Sequence, residues 1–97
     1  MDPELEKFRN RIDGLDAQIV ALLAERLDVC AEVGVYKRRQ ELAVMRPDRV
    51  EAVKSRCAEM AASRGLRPAF ARALYGKIIE DACDLEARIM GAENGAE

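Results

Sequence analysis

Residues 8–36 read FRNRIDGLDAQIVALLAERLDVCAEVGVY, and the positions Phe8, Ile12, Leu15, Ile19, Leu22, Arg26, Val29, Val33 and Tyr36 follow one another at alternating steps of four and three. That is an unbroken heptad seam, the mark of a long helix that buries one stripe against partner helices. Every member is apolar except Arg26. A buried guanidinium without an anion costs several kcal/mol, of the order of the desolvation of one ion. Something negative must therefore meet Arg26, either a carboxylate of the protein, such as Glu25 or Glu80, or a ligand.

The seam extends outward into a first helix from Pro3 or Glu4 to about Gln40. At about 1.5 Å per residue it exceeds 50 Å in length, which a 97-residue globule cannot bury alone. Gly14 and Gly34 weaken it without stopping it. The segment Glu41 to Arg46 turns the chain, and Pro47 is a good first-turn residue for a second helix. That helix carries the narrow apolar stripe Val50, Val53, Cys57 and Met60 and ends around Ser63 to Gly65. Gly65-Leu66-Arg67-Pro68 stops it and starts a third, running to about Met90 with Phe70, Leu74, Ile78, Leu85 and Ile89 inward. Gly91 to Glu97 is expected to fray. The fold class is all-α: one domain over residues 1–97, three helices with a very long first one, and a core shared with a second copy.

Composition narrows the function. With two Phe, two Tyr and no Trp the core is aliphatic. A net charge of −2 argues against nucleic acid as a partner. Cys30, Cys57 and Cys83 are odd in number, show no CxxC spacing and stand in a chain without histidine, so they read as reduced core thiols rather than a zinc site. No apolar run spans a bilayer and no signal peptide is visible, which reads as a cytoplasmic protein without a membrane partner. No carboxylate cluster suits a metal, no histidine activates a nucleophile, and no Gly-rich phosphate loop occurs.

What remains is a set of cations. Lys37 lies on the face of Arg26, three turns on, and two such side chains leaning together frame an anionic pocket. Arg9 is 17 residues before Arg26, about 25 Å along a straight helix, so both cannot serve one site from one copy. An antiparallel neighbour would bring Arg9 to the pocket. Arg49, early in the second helix, could complete the ring. On the third helix the face Tyr75, Ile79, Ala82, Glu86 is apolar until Glu86, and a carboxylate there calls for a cation beside it. Each residue also has a bland reading: Arg26 paired to a neighbouring carboxylate, Lys37 part of the solvated run Lys37-Arg38-Arg39, and Arg9, Arg49 and Glu86 on the surface.

Five ordered blocks carry a resemblance: Arg9-x-x-Ile12-Asp13-x-Leu15-Asp16, Leu22-Leu23-Ala24-Glu25-Arg26, Glu32-Val33-Gly34-x-x-Lys37, Pro47-Asp48-Arg49-Val50 and Ile78-Ile79-Glu80-Asp81. From about Leu5 to Ile89 the chain resembles the all-helical chorismate mutase family, whose three-helix chains form intertwined homodimers with shared active sites. The resemblance implies that Arg9 of one chain and Arg26 of the other hold the two substrate carboxylates. It implies that Lys37 donates to the ether oxygen whose bond breaks, and that Arg49 supports a carboxylate. It implies no cofactor and a [3,3] Claisen rearrangement of chorismate to prephenate.

Three positions depart from the family pattern. Glu86 stands where many members have glutamine, and a carboxyl donates only when protonated. Ala82 replaces a serine. Val50 stands where an acidic residue faces the ring hydroxyl, with Arg46 and Asp48 beside it in the turn, so recognition of the ring substituent is altered. The segment Met45-Arg46-Pro47-Asp48-Arg49-Val50 is similar to relatives acting on 4-amino-4-deoxychorismate, and its Pro-x-Arg-Val element is similar to isochorismate pyruvate lyases. A non-catalytic helical dimerisation module is the reading from a different class.

Overall fold

A computed structural model describes residues 2–94 of the chain. Three helices occupy them: α1 from Pro3–Gln40, α2 from Pro47–Ser63 and α3 from Pro68–Asn94. The helix α1 starts where its orphan N–H groups find a partner. The Asp2 carboxylate accepts from the N–H of Glu4 at 2.9 Å and of Leu5 at 3.3 Å, and Pro3 occupies the first turn. Its 38 residues make it as long as the molecule, whose principal extents are 57 × 29 × 15 Å.

The end of α1 places part of the site. Glu41 takes the left-handed conformation, φ 56°, while its N–H donates to the Arg38 carbonyl and the Leu42 N–H to the Lys37 carbonyl. The chain is thereby turned back so that Val44 lies beside Lys37. A non-glycine residue pays about 1–2 kcal/mol for this conformation. Glu41→Gly is expected to raise stability by about 1 kcal/mol, the strain relieved less the added unfolded-state entropy, as read by urea unfolding.

Arg46 is extended, as a residue before proline must be, and α2 begins at Pro47 without a side-chain cap. At its other end Gly65 has φ 81° and Leu66 donates to the Ala61 carbonyl at 2.8 Å. The helix α3 continues four residues past Met90, to Asn94. The remainder of the tail expected to fray, through Glu97, lies outside the described residues.

The helix α3 packs on both α1 and α2, which do not pack on each other. It runs parallel to α1, with Arg26 beside Tyr75, Lys37 beside Glu86 and Arg38 donating to the Ile89 carbonyl at 3.1 Å. Gly34 lies close against α3: a Cβ there would lie 3.3 Å from the Glu86 Cα and from the Ile89 side chain. The glycine thus favours proximity, because even a methyl there would make the Glu86 backbone or the Ile89 side chain give way by a few tenths of an ångström. Across the other face of α3, Arg72 bridges to Glu51 and to Ser55 of α2. The Arg72 hydrogen bond and charge hold the Glu51 carboxyl below its usual range. Being depressed in the fold, its small contribution is present above the unfolded carboxylate value, about 4.3, and fades as pH falls through the folded one.

Burial corrects the inward placement of Met60, Phe70 and Leu74. Met60 on α2 is 50% exposed, and Ala58 and Ala61 are buried beside Val53 and Cys57 instead. On α3, Phe70 is 49% and Leu74 43% exposed, while Ala71, Ala82 and Glu86 are buried. Small residues take the inner positions because α3 lies close to two helices at once and large ones do not fit between. Along α1 the heptad seam is uncovered within the chain, from 37% exposed at Val33 to 63% at Leu22. The stripe that α3 covers is the adjacent one, through Leu27, Cys30, Ala31 and Gly34.

Candidate active site

Lys37 and Glu86 meet one turn beyond the Gly34 contact between α1 and α3. The Lys37 ammonium donates to Glu86 Oε1 at 2.8 Å and to the Val44 carbonyl at 2.6 Å. Glu86 is buried, at 7% exposure, and Lys37 is half-buried. An ammonium has three N–H donors and these contacts use two, which leaves one for a ligand. The lysine is therefore held by a loop carbonyl and a carboxylate at once, in a single fixed position.

Arg26 lies on the same face. It donates from Nη1 to Cys30 Sγ at 3.8 Å and its guanidinium carbon is 5.8 Å from the Tyr75 ring centroid. Among the described residues no carboxylate pairs with it, so neither Glu25 nor Glu80 supplies the anion. It is half-buried in the single chain rather than fully enclosed. Arg26→Ala is expected to lower stability by less than about 1 kcal/mol, the loss of one cation–π contact, in urea unfolding.

Between these groups lies a cavity of about 340 Å³, a size suited to a small metabolite. Arg26, Lys37, Arg46 and Arg49 line it, with Glu86 the carboxylate among its described lining residues. Val50, Val53, Ile79 and Ala82 form an apolar wall. A shallower hollow of about 410 Å³ lies along Val20, Leu23, Leu27 and Ile78; Arg26 and Lys77 also line it, with the Asp81 carboxylate beside them, so the first cavity gathers more cations and is the better candidate for an anionic ligand.

The structure thus brings together Arg26, Lys37, Arg46, Arg49, Val50, Ala82 and Glu86. It leaves two expected residues outside. Arg9 is exposed, pairs with Glu6 at 3.5 Å and lies far along α1. Asp48 is not in the wall; it pairs with Arg46 at 3.1 Å in a solvent-exposed bridge at the mouth. Asp48 is kept there because the first turn of α2 points it at the guanidinium two residues earlier.

Sequence reading missed Val44, Cys30 and Cys83. The Val44 contribution is a backbone carbonyl, which no residue type signals. Cys30 and Cys83 are half-buried in the cavity wall and only Cys57 is a core thiol. Burial, aided by the Glu86 charge, pushes the Cys83 thiol up. The arrangement can bind a small, multiply anionic molecule against an apolar wall and present a fixed N–H to an atom that gains negative charge.

Comparison with known proteins bears on this geometry. Residues 8–87 match the family model described as chorismate mutase type II. A 4-amino-4-deoxychorismate mutase of Streptomyces pristinaespiralis is 41% identical over 85 residues, covering 88% of this chain and 65% of that protein. The chain thus spans just under two thirds of that relative. A 4-amino-4-deoxychorismate mutase of Streptomyces venezuelae is 35% identical over 91 residues, 94% of this chain and 88% of that protein. A T-protein of Enterobacter agglomerans is 35% identical over 68 residues, 70% of this chain but 18% of its own length.

Proposed function

The chain belongs to the chorismate mutase type II family, and from that premise we propose that it catalyses the [3,3] rearrangement of a chorismate-type enolpyruvyl ether, with 4-amino-4-deoxychorismate its preferred substrate and chorismate the competitor. The observation that carries the reaction is Lys37, fixed by Val44 and Glu86 in a cavity with three arginines. The amino substrate is favoured by the two Streptomyces relatives, and the apolar Val50 in the cavity wall alters the contact to the ring substituent.

The rearrangement breaks a C–O bond and forms a C–C bond within one molecule, so the protein supplies position and charge stabilisation. Arg26 and Arg49 would bind carboxylates and hold the flexible arm over the ring, turning a rare conformer into the bound one. Lys37 would direct its free N–H at the ether oxygen as negative charge grows there. One such preorganised donor is worth about 3–4 kcal/mol in a cavity shielded from water. Arg26 would gain from the substrate the anion that the chain does not give it.

Glu86 faces the same oxygen and can donate to it only with a proton. Glu86→Gln is therefore expected to increase turnover relative to the parent, because an amide donates where a carboxylate cannot. Unchanged turnover in a folded Glu86→Gln protein would remove Glu86 from the mechanism.

The uncovered heptad seam of α1 supports a homodimer in which the first helices pair and Arg9 of each chain enters the other's site. The unpaired thiols support a reducing, cytoplasmic setting; among the described residues no helix is long and apolar enough to cross a membrane.

The test is turnover of 4-amino-4-deoxychorismate, chorismate and isochorismate side by side, with products identified by mass. Higher kcat/KM for the amino compound supports the proposal, and higher kcat/KM for chorismate overturns the substrate assignment while keeping the reaction. Pyruvate from isochorismate would make the protein a lyase, and no turnover would return it to a helical dimerisation module.

A further inference from the structure

Two of the three thiols lie in the wall of the cavity, on different helices, and the mechanism uses neither. Cys30 on α1 and Cys83 on α3 both line it. The parallel register places them near one another. Contacts between the two helices join residues from 49 to 55 positions apart, and Cys83 is 53 positions after Cys30. The turn between these contacts is closely packed, with Gly34 on α1 and the buried Ala82 on α3 adding no bulk. The electrostatic influence of Cys30 reaches Cys83. A disulfide needs Cα atoms about 4.4–6.8 Å apart, a spacing that closely packed helices with small residues between them allow.

We propose that Cys30 and Cys83 form an oxidant-sensitive dithiol in the cavity wall, which closes to an intrachain disulfide with hydrogen peroxide and switches the site off. Arg26 donates to the Cys30 sulfur, giving that sulfur a donor to stabilise charge as it attacks. Cys30 attacks one peroxide oxygen, the O–O bond breaks, and the leaving hydroxide takes a proton to become water. Cys30 is then a sulfenic acid. The Cys83 sulfur attacks the Cys30 sulfur, the S–S bond forms, the S–O bond breaks, and a second water leaves with the Cys83 proton. Two thiols are oxidised by two electrons and one peroxide is reduced to two waters.

The bond would draw the Cys30 sulfur away from Arg26 and pull the cavity wall inward, beside the groups that position the substrate. Misplacement of about 1 Å costs about a hundredfold in turnover, so loss of that order is expected. The effect on activity rests on the proposed function; the formation of the bond does not.

The experiment treats the full chain with hydrogen peroxide, then reads intact mass and a non-reducing peptide map alongside turnover. The expected result is a Cys30–Cys83 linked peptide, free Cys57, turnover reduced about a hundredfold and full recovery with dithiothreitol. Cys30→Ser and Cys83→Ser should each abolish the linked peptide and the sensitivity to peroxide, measured as the ratio of treated to untreated turnover. The proposal is overturned by absence of that peptide, by interchain links only, by unchanged turnover in the linked protein, or by inactivation that persists in either serine variant. If the reduced protein turns over none of the three substrates, the functional reading fails by itself. The linked peptide and its effect on Arg26-dependent stabilisation by a dicarboxylate analogue then decide the dithiol.

Discussion

Lys37→Met is expected to lower kcat by about 10²–10³-fold with a much smaller change in KM, because it removes an interaction realised mainly in the transition state. The ammonium is committed to Val44 and Glu86 by two hydrogen bonds and has one donor left. Replacement by arginine should not rescue it, since a planar fork cannot point a compact charge at the same spot. The single variant also strands a buried carboxylate, and breaking a buried pair costs about 3–5 kcal/mol at the upper end. Lys37 is partly exposed, so the loss here should be smaller. The double variant Lys37→Met, Glu86→Gln separates the two effects: it should recover stability in urea unfolding and stay inactive. A folded double variant with turnover within tenfold of the parent would overturn the role given to Lys37.

Mixing inactive Arg9→Ala and inactive Lys37→Ala chains is expected to restore about a quarter of parental turnover, since half the dimers are mixed and each mixed dimer holds one intact site. The expectation follows from length and exposure. Arg9 is paired only with Glu6 at the surface and sits about 25 Å along α1 from Arg26. The residues between them, Ile12, Leu15, Ile19 and Leu22, are more than half exposed in the chain. Such a surface is too apolar to remain in water, and a second α1 laid along it would carry Arg9 toward the other cavity. Activity should appear only as subunits exchange, with the time course of a labelled-chain exchange assay. No recovery despite full exchange would mean that each site is complete within one chain.

The helices were legible because their ends are written in local chemistry. Pro3, Pro47 and Gly65 to Pro68 mark starts and stops that the structure keeps within a few residues. Arg26 was legible as a misfit in an apolar series. The inward face of each helix was less so. Met60, Phe70 and Leu74 fit an apolar period, yet the alanines beside them are buried, because interhelical distance, not hydropathy alone, selects what fits. Asp48 shared a block with Arg49, but one helical turn directs them differently: Arg49 lines the cavity and Asp48 turns to Arg46.

By itself the sequence determined the three helices, the cationic character of the site, and the misfit of Arg26, because capping, periodicity and charge are local properties of the chain. Only the tertiary structure decided that Gly34 lets α3 close enough for Glu86 to reach Lys37, that the Val44 carbonyl holds the lysine, and that two thiols share the cavity wall. Those contacts join residues far apart in the chain or use backbone atoms, and they exist only where helix register and interaxial distance are set.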